Sequence, residues 1–97
     1  MQVVYRLVAG RDIAAARRWY DAKRVGLGRE FRQAVRVVES LIRAHPEAFP
    51  KVYGEIRRVL VTRFPYAVYY QQLGASSIEI IACLHTRRGP DVLRDRG

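Results

Sequence analysis

Cysteine occurs once, histidine twice and lysine twice in these 97 residues. A lone cysteine, Cys83, cannot close an internal disulfide, and its place in the apolar run IIACL predicts a buried, reduced thiol. His45 and His85 stand far apart, and with one cysteine they make no metal-ligand cluster. No metal and no cofactor is therefore expected. Apolar runs are only a few residues long, far short of the roughly 20 that cross a bilayer. Arg6 and Arg11 interrupt the opening VVYRLVAGR, which predicts no signal peptide, no membrane association and a cytoplasmic location. GLG at 26–28 lacks the further glycine and the preceding strand of a phosphate loop, and no serine sits in a nucleophile elbow. Acid is scarce too. Nine Asp and Glu face eighteen Lys and Arg, a net charge of +9, and sixteen of the eighteen are arginine. A GC-rich coding bias explains arginine in place of lysine but not the twofold excess over acid. The surplus points to an acidic partner: nucleic acid, an acidic protein surface, or both.

Apolar content of 49% arranged with regular periods predicts one folded domain spanning 1–97. QVVYRLV at 2–8 reads as a short strand ended by Ala9-Gly10. Asp12 then offers an N-cap or first-turn acid to a helix running to about Lys23, with Ile13, Ala16, Trp19 and Tyr20 on one face. Of the adjacent pair Trp19-Tyr20, one is expected in the hairpin seam and the other at its edge. After the break VGLG, Leu27, Phe31, Ala34, Val35, Val38, Leu41 and Ile42 trace the apolar stripe of a second helix, while Val37 falls off it. His45-Pro46 stops that helix. The two helices read as an antiparallel hairpin.

Beyond the loop HPEAFPKVYGE, where Phe49 and Tyr53 are expected to cover the sheet edge, the period becomes two. IRRVLV (56–61), YAVYYQ (66–71) and IEIIACLH (78–85) read as a three-stranded meander, the last apolar enough to be central. The expected fold class is α+β in the order β-α-α-β-β-β. The helical hairpin lies on one face of a mostly antiparallel four-stranded sheet. Within TRFPYAVYYQ (62–71), tyrosines beside an arginine suit base stacking, but alternation assigns Tyr66 and Tyr70 to one face and Tyr69 to the other. At least part of the set is therefore core.

Acid–base and anion-binding candidates gather around the meander: Glu55, Arg63, His85, Arg87 and Arg88, with Arg94 in the tail. A histidine with arginines to hold a phosphate suits RNA cleavage, where the 2′-OH is the nucleophile. Spacing alone is served better by a strand-end histidine bonded to the backbone and solvated arginines at the rim.

Three segments in sequence carry a family resemblance. ARRWYD ends the first helix and GLGREF opens the second. R-x-x-L-x-x-R-F-P-Y-x-x-Y-Y runs from Arg57 to Tyr70, and I-x-x-C-L-H-x-R-R-x-P from Ile80 to Pro90. Together they resemble the RelE/ParE superfamily of bacterial type II toxin–antitoxin toxins, closest to the ParE-like branch, over nearly the whole chain. The resemblance implies a cytoplasmic toxin wrapped by a small, acidic cognate antitoxin in a hetero-oligomer. ParE-like members inhibit DNA gyrase and RelE-like members cut mRNA on the ribosome. Many of the latter carry an aromatic acid–base residue near the C-terminus, and TRRGPDVLRDRG after His85 has no Tyr, Phe or Trp. The expected function is thus gyrase inhibition without catalysis, through Arg63, His85, Arg87, Arg88 and Arg94. The alternatives are an mRNA endonuclease using His85, Arg63, Arg87 and Glu55, or a degenerate member that only binds antitoxin.

Overall fold

Period-two alternation between residues 56 and 85 builds the centre of the fold. The computed structural model describes residues 1–89 and 91–96; Pro90, which closes the second motif, and Gly97 lie outside the described residues. The elements are β1 (Gln2–Tyr5), α1 (Leu7–Lys23), α2 (Leu27–Ala44), β2 (Lys51–Tyr53), β3 (Ile56–Leu60), β4 (Tyr66–Leu73), β5 (Ser77–His85) and α3 (Asp91–Arg94). One sheet runs β1-β5-β4-β3-β2. β1 pairs parallel with β5, and every other pairing is antiparallel. The α+β class and the helical hairpin are as expected, but the sheet has five strands, not four. The extra strand comes from the loop. Gly54 (φ 56°) turns Lys51–Tyr53 back onto β3, and the Arg57 guanidinium donates to the carbonyls of Glu47 and Phe49 at 3.2 and 2.6 Å. Its cross-strand partner Tyr70 donates its hydroxyl to the Pro46 carbonyl at 2.8 Å. These two motif residues hold the loop that carries β2.

The first helix starts earlier than its local signals imply. β1 stops at Tyr5 and α1 begins at Leu7, so Ala9 and Gly10 lie inside the helix, not at a strand end. No side chain caps the N-terminus. Packing replaces the cap: Ala9 is fully buried, and the Arg6 amide donates to the Ile80 carbonyl at 2.9 Å.

The sheet carries an apolar core on each face. Toward the helices, Ile13, Ala16 and Tyr20 of α1 and Phe31, Val35, Val38 and Ile42 of α2 meet Val59, Val68, Tyr70, Ile78, Ile80 and Cys83. On the other face, Ile56, Ala67, Tyr69, Ile81, Ala82 and Leu84 surround Leu93 of α3. β5 serves both cores through a bulge. Tyr69 pairs with Ala82 and Tyr70 with Ile80, so Ile81 is the extra residue, and it joins Ala82 on the α3 side. Tyr66 and Tyr70 therefore belong to one core and Tyr69 to the other, which leaves the stretch no exposed stacking platform. Of the helical pair, Tyr20 is buried and Trp19 is 54% exposed. Val37 is exposed as expected.

The hairpin turns on two glycines. Gly26 sits at φ 90°, where side chains are strained. Gly28 donates its N–H to Asp21 at 2.8 Å, and a Cβ there would stand 2.6 Å from the Arg17 carbonyl oxygen. Gly28→Ala is expected to cost about 1–3 kcal/mol by forcing the helices apart. Gly10→Ala, with nothing within 4 Å of the new carbon, is expected to gain roughly 0.5–1 kcal/mol. Urea unfolding of both variants checks the contrast.

Candidate functional site

β4 begins and β5 ends at the same end of the sheet, because Tyr66 pairs with His85. The turn after β3 and the turn after β5 meet there, joined by a hydrogen bond from the Thr86 amide to the Pro65 carbonyl at 2.8 Å. The segments bearing Arg63 and His85 are thus neighbours. Glu55 is not among them. It lies in the β2–β3 turn, paired with Lys51 at 2.7 Å, and the register puts it beyond Gln71. That is six residues along β4 from Tyr66, or roughly 20 Å.

His85 is half-buried, with its ring 5.4 Å from that of Tyr66. Its Nδ1 accepts the Arg87 amide at 3.1 Å, which is the backbone bond expected of a strand-end histidine. A nitrogen that accepts cannot carry the proton, so the neutral ring with this bond holds its hydrogen on Nε2. Arg87 and Arg88 follow it, both exposed and without a carboxylate partner among the described residues. Arg94, on α3, is exposed and pairs with Asp91 at 3.0 Å. Arg63 pairs with Glu30 at 3.0 Å, and that contact, with Arg24 adding, holds the Glu30 carboxyl below the usual carboxylate range. Arg63 also carries φ 75°, a left-handed conformation uncommon for a non-glycine residue.

Between α1 and this strand end lies a cleft of about 480 Å³, walled by Trp19, Tyr20, Pro65, Tyr66, His85 and Arg88, with Cys83 and Asp12 deeper. The Trp19 ring meets Tyr20 edge-on at 5.1 Å and carries the Lys23 ammonium at 4.6 Å from its centroid. Burial raises the hydroxyl pKa of Tyr20 and of Tyr66, and pushes the Cys83 thiol up to about 12, with Asp12 adding. A thiol so placed stays protonated and is no nucleophile at neutral pH. It holds a proton that the unfolded chain sheds near 9.0, so this group's contribution to stability is lost as pH rises from about 9 toward 12. No group of three or more His, Cys, Asp or Glu able to hold a metal occurs among the described residues. No helix is long and apolar enough to cross a membrane among them.

Asp12 has a role that its sequence neighbourhood does not suggest. It caps nothing in α1; one carboxylate oxygen accepts the Cys83 amide at 3.0 Å, and both bind the Arg96 guanidinium. Both side chains are largely buried, 12% and 15% exposed. β1 covers β5 only as far as Ile80, so Asp12 and Arg96 close the uncovered edge beyond it. Eighty-four residues separate the pair, and no local signal announces it. Asp12→Ala strands a buried guanidinium and an amide, and an expected loss of about 2–4 kcal/mol follows. Arg63→Gly removes an exposed pair but relieves a positive φ, and its unfolding free energy is expected to stay within about 1 kcal/mol. Denaturant titrations of both variants check this.

Among known proteins, no family model matches the chain, and no curated protein does. Solved structures do match. A chain of the structure titled "Chromosomal ParDE TA system from P. aeruginosa" aligns with 88% of this chain and 95% of its own length, at TM-score 0.64 and 14% identity. The segments that carry the resemblance and this superposition agree on architecture: the chain has the RelE/ParE-like fold.

Proposed function

We propose that this chain is a single-domain toxin of a type II toxin–antitoxin module, restrained in the cytoplasm by a small acidic antitoxin. Its proposed target is DNA gyrase, inhibited by binding and not by catalysis. The observation that carries the module reading is the shared fold with a chain of a ParDE system over 88% of this sequence. The charge of +9 suits an acidic neutralising partner in a hetero-oligomer.

Rim chemistry supports binding over catalysis. Arg87 and Arg88 are exposed and unpaired among the described residues, while Arg63 pairs with the half-buried Glu30 and Arg94 with the exposed Asp91. His85 offers a donor, its accepting nitrogen being occupied by the Arg87 amide, so it is not set to take a proton from a nucleophile. Glu55 stands at the opposite end of the meander and supplies no second acid–base group.

A second reading, a ribosome-dependent mRNA endonuclease, draws on the Thr86–Pro65 hydrogen bond that brings the segments of Arg63, His85 and Arg87 together. The two readings separate in one set of assays. The purified chain is expected to block gyrase supercoiling at micromolar concentration and to leave gyrase-dependent DNA breaks, with Arg87→Ala/Arg88→Ala at least tenfold weaker. Untouched supercoiling refutes the gyrase reading. Codon-positioned mRNA cuts in a translating extract, lost in His85→Gln, would establish the nuclease instead. Absence of growth arrest on expression without a partner would leave a module member that binds only antitoxin.

A further inference from the structure

Arg6, Arg32, Arg57, Arg58 and Arg96 are half-buried. All but one of them meet an acceptor within the chain. Arg6 pairs with Glu79 at 3.1 Å, Arg57 donates to the carbonyls of Glu47 and Phe49, and Arg96 binds Asp12. Arg32 stands within hydrogen-bonding reach of the Tyr5 hydroxyl, as Glu39 does. Arg58 is the exception. Its Nε is buried without a hydrogen-bond partner, and its guanidinium forms no ion pair, among the described residues. Buried donors are nearly always satisfied, so this one calls for an acceptor that the chain does not supply.

Strand register places the gap. Arg58 lies opposite Tyr69 in the β3–β4 pairing, and Ile56 and Tyr69 belong to the core around Leu93, so the Arg58 side chain rises from the α3 face. There it lines a cleft of about 210 Å³ with Val52, Tyr69, Thr86, Arg88 and Gly89. No carboxylate is among these walls, and Arg88 brings a second guanidinium without a carboxylate partner among the described residues. Two like charges share a small cleft that holds no counter-charge, which favours an anion between them. Thr86 adds a hydroxyl, while Val52 and the Tyr69 ring are apolar wall.

The edge of a guanidinium offers parallel N–H donors that match the two oxygens of a carboxylate. A phosphate would set further oxygens against Val52 and the Tyr69 ring, which offer them no donor. We propose that this cleft binds a carboxylate, whose oxygens accept from Arg58 Nε and from Arg88 while its carbon stem lies against Val52 and Tyr69. The carboxylate is that of a small organic acid or of an Asp or Glu in an acidic protein segment. Arg58 makes the site, so it does not depend on the target assigned to the strand-end rim.

The test titrates the full chain with sodium acetate, sodium phosphate or a short glutamate peptide, each against sodium chloride at constant ionic strength. NMR follows the Nε–H resonances of Arg58 and Arg88 and the amides of Thr86 and Gly89. A saturable response to acetate is expected in the unmodified chain and in Arg43→Met, an exposed arginine on α2. Arg58→Met and Arg58→Lys are each expected to weaken it about tenfold or more, the lysine because it keeps the charge without the Nε–H. In acetate-free buffer Arg58→Met is expected to unfold at no lower temperature than the parent, since it deletes an unsatisfied buried donor. Tighter binding of the peptide than of acetate identifies an acidic protein segment as the source. Equal or weaker binding of the peptide identifies a free organic acid. No saturable response to acetate, phosphate bound ahead of it, an unchanged response in Arg58→Lys, or a lower unfolding temperature for Arg58→Met would overturn the proposal.

Discussion

Tyr20, Phe31, Phe64 and Tyr66 form one aromatic cluster, with ring centroids 4.9 to 6.0 Å apart, and the basic end of the sheet depends on it. Each ring comes from a different piece of chain: α1, α2, the turn after β3, and β4. Edge-to-face contacts of this kind add about 0.5–1.5 kcal/mol each to the burial of their area. Fixing Phe64 fixes the turn that bears Arg63, whose guanidinium lies 5.4 Å from the Phe64 ring. Fixing Tyr66 fixes its cross-strand partner His85, and the Pro65–Thr86 hydrogen bond carries the order into the turn of Arg87 and Arg88.

Charge follows the same division. Apolar side chains fill both cores, and most arginines lie outside them; Arg57 and Arg58, half-buried on β3, and Arg96 are among the exceptions. The largely buried ion pair, Asp12 with Arg96, stands at the strand edge that β1 leaves open, where an unpaired β5 amide needs an acceptor in any case. The net charge of +9 is therefore carried mostly where solvent reaches it, and its self-repulsion weighs against the compact state.

Local period carried most of this architecture. The stripe from Phe31 to Ile42 and the alternation of 56–61 and 66–71 are written in short-range pattern, and the elements appear there, β3 ending one residue earlier at Leu60 and β4 running two residues further to Leu73. Long-range contacts account for the rest. Asp12 reads as a helix cap because caps are local, whereas its partners, Cys83 and Arg96, lie 71 and 84 residues away. β2 is three residues long and exists by pairing with β3, so no alternation within it was available to read. The parallel direction of β1 is set by β5, not by anything in Gln2–Tyr5. At the candidate site, the grouping of His85, Arg87 and Arg88 was legible from adjacency. The tautomer of His85 depends on a backbone amide, and the distance of Glu55 on strand register; neither is a property of spacing.

Amide hydrogen exchange on a Phe31→Leu variant tests most directly whether the aromatic cluster holds the basic rim. The account predicts that the Thr86 and Arg87 amides lose roughly tenfold or more protection, while β5 amides in the parallel pairing with β1 keep theirs. Uniform loss across β5, or unchanged protection at Thr86 and Arg87, would contradict it.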